Sequence, residues 1–182
     1  MERSSGEVVR IVGVCVEITA CRAIEAELAL AVIVDPLTGT MNRRGLERSV
    51  AAAIDRGLVA TEAFGIALID VDEFKSINET YGHRIGDAVL RHVANVLQAA
   101  ILEGETVSRI GGDEFAVLLR VSSRDEFHRR LAILRQLMDC DVLLVDRTIR
   151  VRASLGGAIW KQPWTLDDIL AASDNEMYRH KT

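Results

Sequence analysis

The sequence predicts an α+β fold in which helices flank an antiparallel-rich central sheet. Two β-forming runs, 107–110 and 115–119, surround the pair Gly111-Gly112, which indicates a hairpin because glycine adopts positive φ at little cost. A short apolar run at 64–71 is typical of a buried strand. Two strands joined by a hairpin are antiparallel, so an all-parallel sheet is excluded.

The other elements are predicted from apolar residues spaced three or four positions apart. The last helix is expected to begin at a capping-box variant formed by Thr165 and Asp168. On the same helix, Met177 and Tyr178 are expected to contact the core. In chain order, the predicted helices span 42–55, 85–102, 124–138 and 166–181, and a further strand region spans 149–160.

The first 34 residues differ in character from the rest of the chain. Residues 1–18 contain a strand-like run, and 19–34 have the periodicity of a helix. Since one strand does not form a sheet by itself, we interpret 1–18 as the remnant strand of a preceding domain and 19–34 as a linker helix. The segment 13–19 resembles the tail of a PAS sensor domain. The alternative is that 1–18 forms an ordinary N-terminal strand added to the main domain, 35–182.

Composition excludes several classes of protein. A net charge of −5 argues against a general nucleic-acid binder, which needs clustered lysine and arginine. The three cysteines lack the spacing of metal ligands and indicate reduced thiols. The apolar stretch at 28–34 is much shorter than the ~20 residues of a membrane helix. We therefore expect a cytoplasmic protein without membrane contact of its own, although a longer parent could carry an anchor.

Acidic residues occur at two predicted strand boundaries. Asp113 and Glu114 follow the glycine pair, and Asp70 stands where the strand 64–71 ends. If this strand lies beside the hairpin, Asp70 and Asp113 converge into a two-carboxylate site open to water and phosphate oxygens, which Mg²⁺ favours. The alternative for the short hairpin pattern alone is a solvated turn.

Four ordered blocks carry a resemblance that covers roughly residues 35 to 181. The chain resembles a GGDEF domain of the diguanylate cyclase family, which condenses two GTP into cyclic di-GMP. The resemblance implies a palm-like fold akin to adenylate cyclases, Mg²⁺ or Mn²⁺ as cofactor, a homodimer with one GTP per subunit, and an upstream sensor domain in a longer parent. The matching blocks are 35–44, 70–87, 109–115, and 154–158 with 172–181.

The resemblance also implies which residues hold the metal and act in catalysis. Asp70 and Asp113 align with the metal-binding acids, and the Val71 carbonyl aligns with a backbone ligand. Glu114 is expected either to contact the metal or to assist the attacking hydroxyl. Asp113 and Glu114 are therefore the candidate catalytic residues.

Substrate recognition is assigned in the same way. Asn78 and Asp87 align with guanine-reading positions, and an Asp accepts hydrogen bonds from guanine N1 and N2. The alternatives are that Asn78 ends a turn and that Asp87 favours a helix N-terminus. Phe74 and Lys75 align with a phosphate-binding loop, and Lys181 aligns with a phosphate-contacting lysine. A solvated side chain is the alternative for Lys75.

One departure from the family pattern changes the expected regulation. The inhibitory product site requires an arginine at position 102 and an aspartate at position 105, where this chain has Leu102 and Glu105. No inhibitory product site is therefore expected. The competing functional hypothesis is a catalytically silent GTP-binding or partner-binding module. The intact Gly-Gly-Asp-Glu-Phe motif favours the enzyme.

Overall fold

A computed structural model describes residues 33–57, 63–144 and 147–181, apart from the side chains of 180 and 181. The predicted strand in 1–18 and nearly all of the linker helix 19–34 lie outside the described residues. In chain order the elements are α1 (Arg43–Gly57), β1 (Ala63–Val71), α2 (Phe74–Tyr81), α3 (His83–Ala100), β2 (Thr106–Arg109), β3 (Glu114–Val121), α4 (Arg124–Leu137), β4 (Cys140–Leu143), β5 (Thr148–Val151), β6 (Ala153–Ile159) and α5 (Leu166–Lys181).

Among the described residues, the central sheet has four strands in the order β2-β3-β1-β6, and every neighbouring pair is antiparallel. β2 and β3 form the predicted hairpin. A separate two-stranded sheet pairs β4 with β5. The architecture confirms the predicted α+β class.

Helices cover both faces of the sheet, and β1 contributes to both apolar clusters. Phe64 and Ile66 belong to the cluster with residues of α1 and α5, whereas Ala67 and Ile69 belong to the cluster with residues of α3 and α4. Successive side chains of a strand point to opposite faces, so a central strand covered on both sides is apolar throughout. This explains the continuous apolar run seen in the sequence.

Two predicted features needed correction in the C-terminal half. The strand region 149–160 is two strands in different sheets, β5 and β6, separated at Arg152. Met177 is buried at 6 % exposure, but Tyr178 is 71 % exposed and is not a core residue. Adjacent helical residues lie about 100° apart around the axis, so only one of the two faces the sheet.

Local sequence signals predicted the start of one helix and missed another, shorter helix. The Thr165 amide donates to Asp168 Oδ2 at 2.8 Å, and the Asp168 amide donates to Thr165 Oγ1 at 3.3 Å, which confirms the predicted capping box. By contrast, the helix α2 was not predicted, because its eight residues are too short to show an apolar period.

Helix α5 rests directly on β6 at Gly156. A Cβ at this position would lie 2.6 Å from Met177 Cα and still closer to the Ser173 carbonyl oxygen. The buried Ser173 hydroxyl has one proton for two acceptors, the Ile169 carbonyl of its own helix at 2.8 Å and the Ile66 carbonyl of β1 at 3.2 Å, so the helix makes polar as well as packing contact with the sheet. No side chain larger than hydrogen fits between the two backbones.

We predict that Gly156→Ala lowers the free energy of unfolding by about 2–3 kcal/mol, because the methyl group would force α5 away from the sheet. The matched control is Gly112→Ala, where an added Cβ meets nothing within 4 Å. Urea denaturation of both variants measures the difference. Equal stability of the two variants would contradict the close contact.

Candidate active site

The register between β1 and β3 brings the predicted acidic residues together. Asp70 lies directly opposite Glu114 on β3 and Ser154 on β6. Just beyond that pair, the Val71 amide donates to the Asp113 carbonyl at 3.2 Å. The adjacency of the strand 64–71 and the hairpin, which the sequence required but did not prove, is therefore present.

Gly111 leaves space for the Glu114 side chain over the hairpin turn. A Cβ on Gly111 would collide with the Glu114 carboxylate in its present position. The turn is closed by the Ile110 amide, which donates to the Glu114 carbonyl at 2.9 Å. The hairpin therefore presents Asp113 and Glu114 together at its tip.

The acidic side chains influence one another electrostatically. The pKa of Glu114 is raised, first by partial burial of its carboxylate and then by the negative charges of Asp70, Asp113 and Asp174. Arg43 acts in the opposite direction. A cation beside these carboxylates would relieve their mutual repulsion.

The donor set fits a hard cation that retains some of its solvent ligands. Within the described ranges, no group of three or more His, Cys, Asp or Glu side chains is arranged to hold a metal by itself. Two carboxylates and a backbone carbonyl leave positions for water and phosphate oxygens. Mg²⁺ is characteristically bound in this way, by one or two carboxylates together with substrate phosphates.

The predicted phosphate loop follows β1 directly. Glu73 adopts a left-handed conformation, with φ 56° and ψ 24°, and precedes the first residue of α2. The backbone N–H groups of Phe74 and Lys75 therefore belong to a helical first turn, where they lack acceptors within the helix. The Lys75 side chain is exposed and lies 3.7 Å from Glu79, and its contact with phosphate stays a prediction. The Lys181 side chain lies outside the described residues.

The two predicted guanine readers stand on adjacent helices, and Gly86 determines their spacing. Asn78 lies on α2 and Asp87 on α3. A Cβ on Gly86 would collide with Asn78 Oδ1 and would lie 3.2 Å from Phe74 Cζ. The Asn78 amide therefore packs over Gly86, next to Asp87 in the chain. Sequence reasoning missed Gly86, although a glycine inside a helical segment is a signal of close packing.

A second residue that sequence reasoning did not single out is Arg109, which links the hairpin to the turn before α1. Its guanidinium donates to the Gly112 carbonyl at 2.7 Å and to the Asp35 carboxylate at 3.2 and 3.3 Å. Asp35 also accepts from the Thr38 amide at 2.9 Å and from the Thr38 hydroxyl at 2.6 Å. The turn that carries Asp113 is thereby tied to the start of the domain.

Positions 102 and 105, which the sequence relates to an inhibitory product site, have contrasting environments. Leu102 is 62 % exposed, whereas the Glu105 side chain is buried. The Glu105 carboxylate accepts from Arg130 at 2.7 and 3.0 Å and from the Leu102 and Arg120 amides at 2.8 and 3.1 Å. Its hydrogen-bonding capacity is used within the fold. The expected absence of a product site stays a prediction.

Two cavities differ in their relation to the acidic cluster. A groove of about 810 Å³ between α4, β6 and α5 is lined by Phe127, Trp160 and Trp164 and contains neither Asp70 nor Asp113. A groove of about 730 Å³ is lined by Asp70, Asp72 and Glu73, and Asp113 lies beside it and not in its lining. We place the candidate site at the second groove, because size alone does not indicate chemistry whereas converging carboxylates do.

Comparisons with known proteins agree with this architecture. The family profile described as "Diguanylate cyclase, GGDEF domain" matches residues 32–182, and the chain belongs to this family. The chain is 35 % identical over 152 residues to diguanylate cyclase DgcZ of Escherichia coli, with 81 % of this chain and 49 % of DgcZ aligned. It is 31 % identical over 164 residues to an uncharacterised signalling protein of Caulobacter vibrioides, with 88 % of this chain and 20 % of that protein aligned. The chain thus spans half or less of these relatives.

Solved structures show the same fold. A sensory box/GGDEF family protein from Caulobacter crescentus superposes with a TM-score of 0.76 and 33 % identity, covering 81 % of this chain and 97 % of that one. The isolated GGDEF domain of TpbB from Pseudomonas aeruginosa gives a TM-score of 0.75 and 32 % identity, covering 81 % of this chain and 88 % of that one.

Among the described residues, no helix is long and apolar enough to cross a bilayer.

We predict that Asp35→Asn destabilises the protein at neutral pH by about 2 kcal/mol, the typical contribution of hydrogen bonds to a charged group. Partial burial acts to raise the pKa of Asp35, but hydrogen bonds from Thr38 and Arg109 outweigh it and lower the pKa below 3.8. The stabilisation is therefore present above pH 3.8 and is lost as pH falls through the lowered pKa.

Urea denaturation of the wild type and the variant across this pH range measures the effect. The exposed Asp55→Asn is the control and should differ little from the wild type at any pH. A stability difference for Asp35→Asn that stays constant down to strongly acidic pH would contradict the assignment.

Proposed function

We propose that this chain is the catalytic unit of a diguanylate cyclase, which condenses two GTP into cyclic di-GMP and two pyrophosphates as a signalling output. The observation that carries the proposal is the antiparallel register that sets Asp70 opposite Glu114, with Asp113 beside them. Family membership and the intact motif support it. A silent GTP-binding module would usually carry a damaged Gly-Gly-Asp-Glu-Phe motif, and here the motif is intact.

The reaction joins the ribose 3′-hydroxyl of one GTP to the α-phosphate of another and releases pyrophosphate. Asp70, Asp113 and the Val71 carbonyl would hold Mg²⁺ or Mn²⁺, which when bound offsets the charge of the triphosphate. Partial burial and the neighbouring negative charges raise the pKa of Glu114, so its carboxylate holds a proton more readily than an ordinary glutamate. We assign Glu114 to accept a hydrogen bond from the attacking hydroxyl as the hydroxyl loses its proton.

Recognition of GTP is assigned to the two helices after β1 and to Lys181 at the end of α5. The N–H groups of Phe74 and Lys75 would donate to phosphate oxygens, and Lys181 would add a positive charge. Asp87 would accept from guanine N1 and N2, and Asn78 would donate and accept at the base edge. Adenine presents the opposite pattern at N1, which gives a physical reason for selectivity toward GTP.

Each domain holds one substrate in this proposal, so the reaction requires two domains facing each other. The attacking hydroxyl comes from the GTP of the second copy. The proposed working unit is therefore a homodimer, and an upstream sensor domain in a longer parent would control how the two copies meet. Incubation with GTP and Mg²⁺, followed by identification of the product, tests the activity. GTP binding without any product would favour the silent module.

We predict that Asp113→Asn lowers cyclic di-GMP formation by about 100-fold or more, because a neutral amide replaces a charged metal ligand of nearly the same shape. Glu114→Gln should also be severe. Asp125→Asn, on the exposed start of α4, makes the same chemical change away from the site and serves as the control. Wild-type turnover by Asp113→Asn at saturating Mg²⁺ would refute the metal assignment.

We predict that Gly86→Ala raises the KM for GTP by about tenfold, because its methyl group would displace the Asn78 amide. Asn78→Ala should have a similar effect. If Gly86 acts through Asn78, the double variant will be no worse than the more severe single variant. Additive effects on KM would show that Gly86 acts by another route.

A further inference from the structure

The groove beside Asp70 has basic as well as acidic walls. Asp70, Asp72 and Glu73 line it from the end of β1, and Arg150, Arg152 and Ser154 line it from β5 and β6. Carboxylates and guanidinium groups in one groove suit a ligand that combines a metal cation with phosphate oxygens. From the sequence, neither Arg150 nor Arg152 was assigned to the site.

Arg152 is held beside β1 by its backbone. The Asp72 amide donates to the Arg152 carbonyl at 2.9 Å. Two residues further on, the Ser154 hydroxyl donates to Asp72 Oδ1 at 2.6 Å, and Ser154 pairs with Asp70 across the strands. The corner between β5 and β6 is therefore fixed against the same strand end that carries Asp70.

The side chain of Arg152 is only weakly engaged in the fold. It is 71 % exposed, and its Nε lies 3.5 Å from Asp139 Oδ1. Arg150 already pairs with that same carboxylate at 2.8 Å and with Asp141 at 3.2 Å. Exposed ion pairs contribute little to stability, so the Arg152 guanidinium can leave Asp139 at small cost. A phosphate group would accept two parallel hydrogen bonds from it.

We propose that Arg152 binds the triphosphate end of the substrate in the groove that it shares with Asp70, Asp72 and Glu73. Arg150 supports it by keeping Asp139 paired. This inference rests on the proposed function, because it takes GTP as the ligand. It adds a side-chain phosphate contact from the corner between β5 and β6.

The test uses calorimetry to measure the affinity for a GTP analogue in the presence of Mg²⁺. The analogue cannot be hydrolysed between its α- and β-phosphates. Arg152→Ala should weaken this binding about tenfold, as expected for loss of a charge-assisted hydrogen bond, and Arg152→Lys should restore part of it. GMP, which lacks the outer phosphates, should compete equally well against the wild type and both variants. Where turnover is measurable, KM for GTP should rise more than kcat falls.

Arg129→Ala is the control, since it removes the same charge from an exposed position on α4. Thermal unfolding of each variant establishes that it is folded. Unchanged affinity of Arg152→Ala for the analogue, with wild-type binding intact, would overturn the inference and leave the proposed function standing. Equal weakening for the analogue and GMP would also overturn it, because the outer phosphates would not be the target. Failure of the wild type itself to bind the analogue would refute the proposed function.

Discussion

The candidate site depends on one constraint, the antiparallel register of β1 with β3. This pairing sets Asp70 opposite Glu114 and joins Val71 to the Asp113 carbonyl. Side chains alternate between the faces of a sheet, so a slip of one residue would turn Asp70 to the opposite face and its apolar neighbours out of their clusters. Burial of β1 on both faces therefore fixes the chemistry as well as the fold. The rest of the proposed site is arranged around that strand end.

Close contacts at two glycines set the positions of the last helix and of the Asn78 side chain. At Gly156 the last helix rests on β6, and at Gly86 the Asn78 amide packs between two helices. Neither contact adds chemistry of its own. Each removes space in which a neighbouring element would otherwise shift, and close-packed interiors transmit such constraints well. A methyl group at Gly156 would push the last helix off the sheet, and one at Gly86 would displace the Asn78 side chain directly.

Charged groups in this chain serve two distinct purposes. Glu105 and Arg130 form a buried pair whose carboxylate is fully hydrogen-bonded, so its role is structural. The acids around the end of β1 instead repel one another, and the pKa of Glu114 is raised first by partial burial of its carboxylate and then by these neighbouring charges. Folding retains such repulsion where a ligand relieves it. The contrast separates a carboxylate whose hydrogen bonds are satisfied within the fold from the acidic cluster that we propose to hold a cation.

The sequence by itself determined the features that local chemistry encodes. These are the hairpin at Gly111, the buried strand 64–71, the capping box at Thr165 and the identity of the acidic residues. Tertiary structure decided which of them meet. The pairing of Asp70 with Glu114, the exposure of Tyr178 and the place of Arg152 beside the site depend on contacts between residues far apart in the chain. Periodicity and turn propensity act within a few residues, whereas strand order and helix packing are set by burial of the whole core.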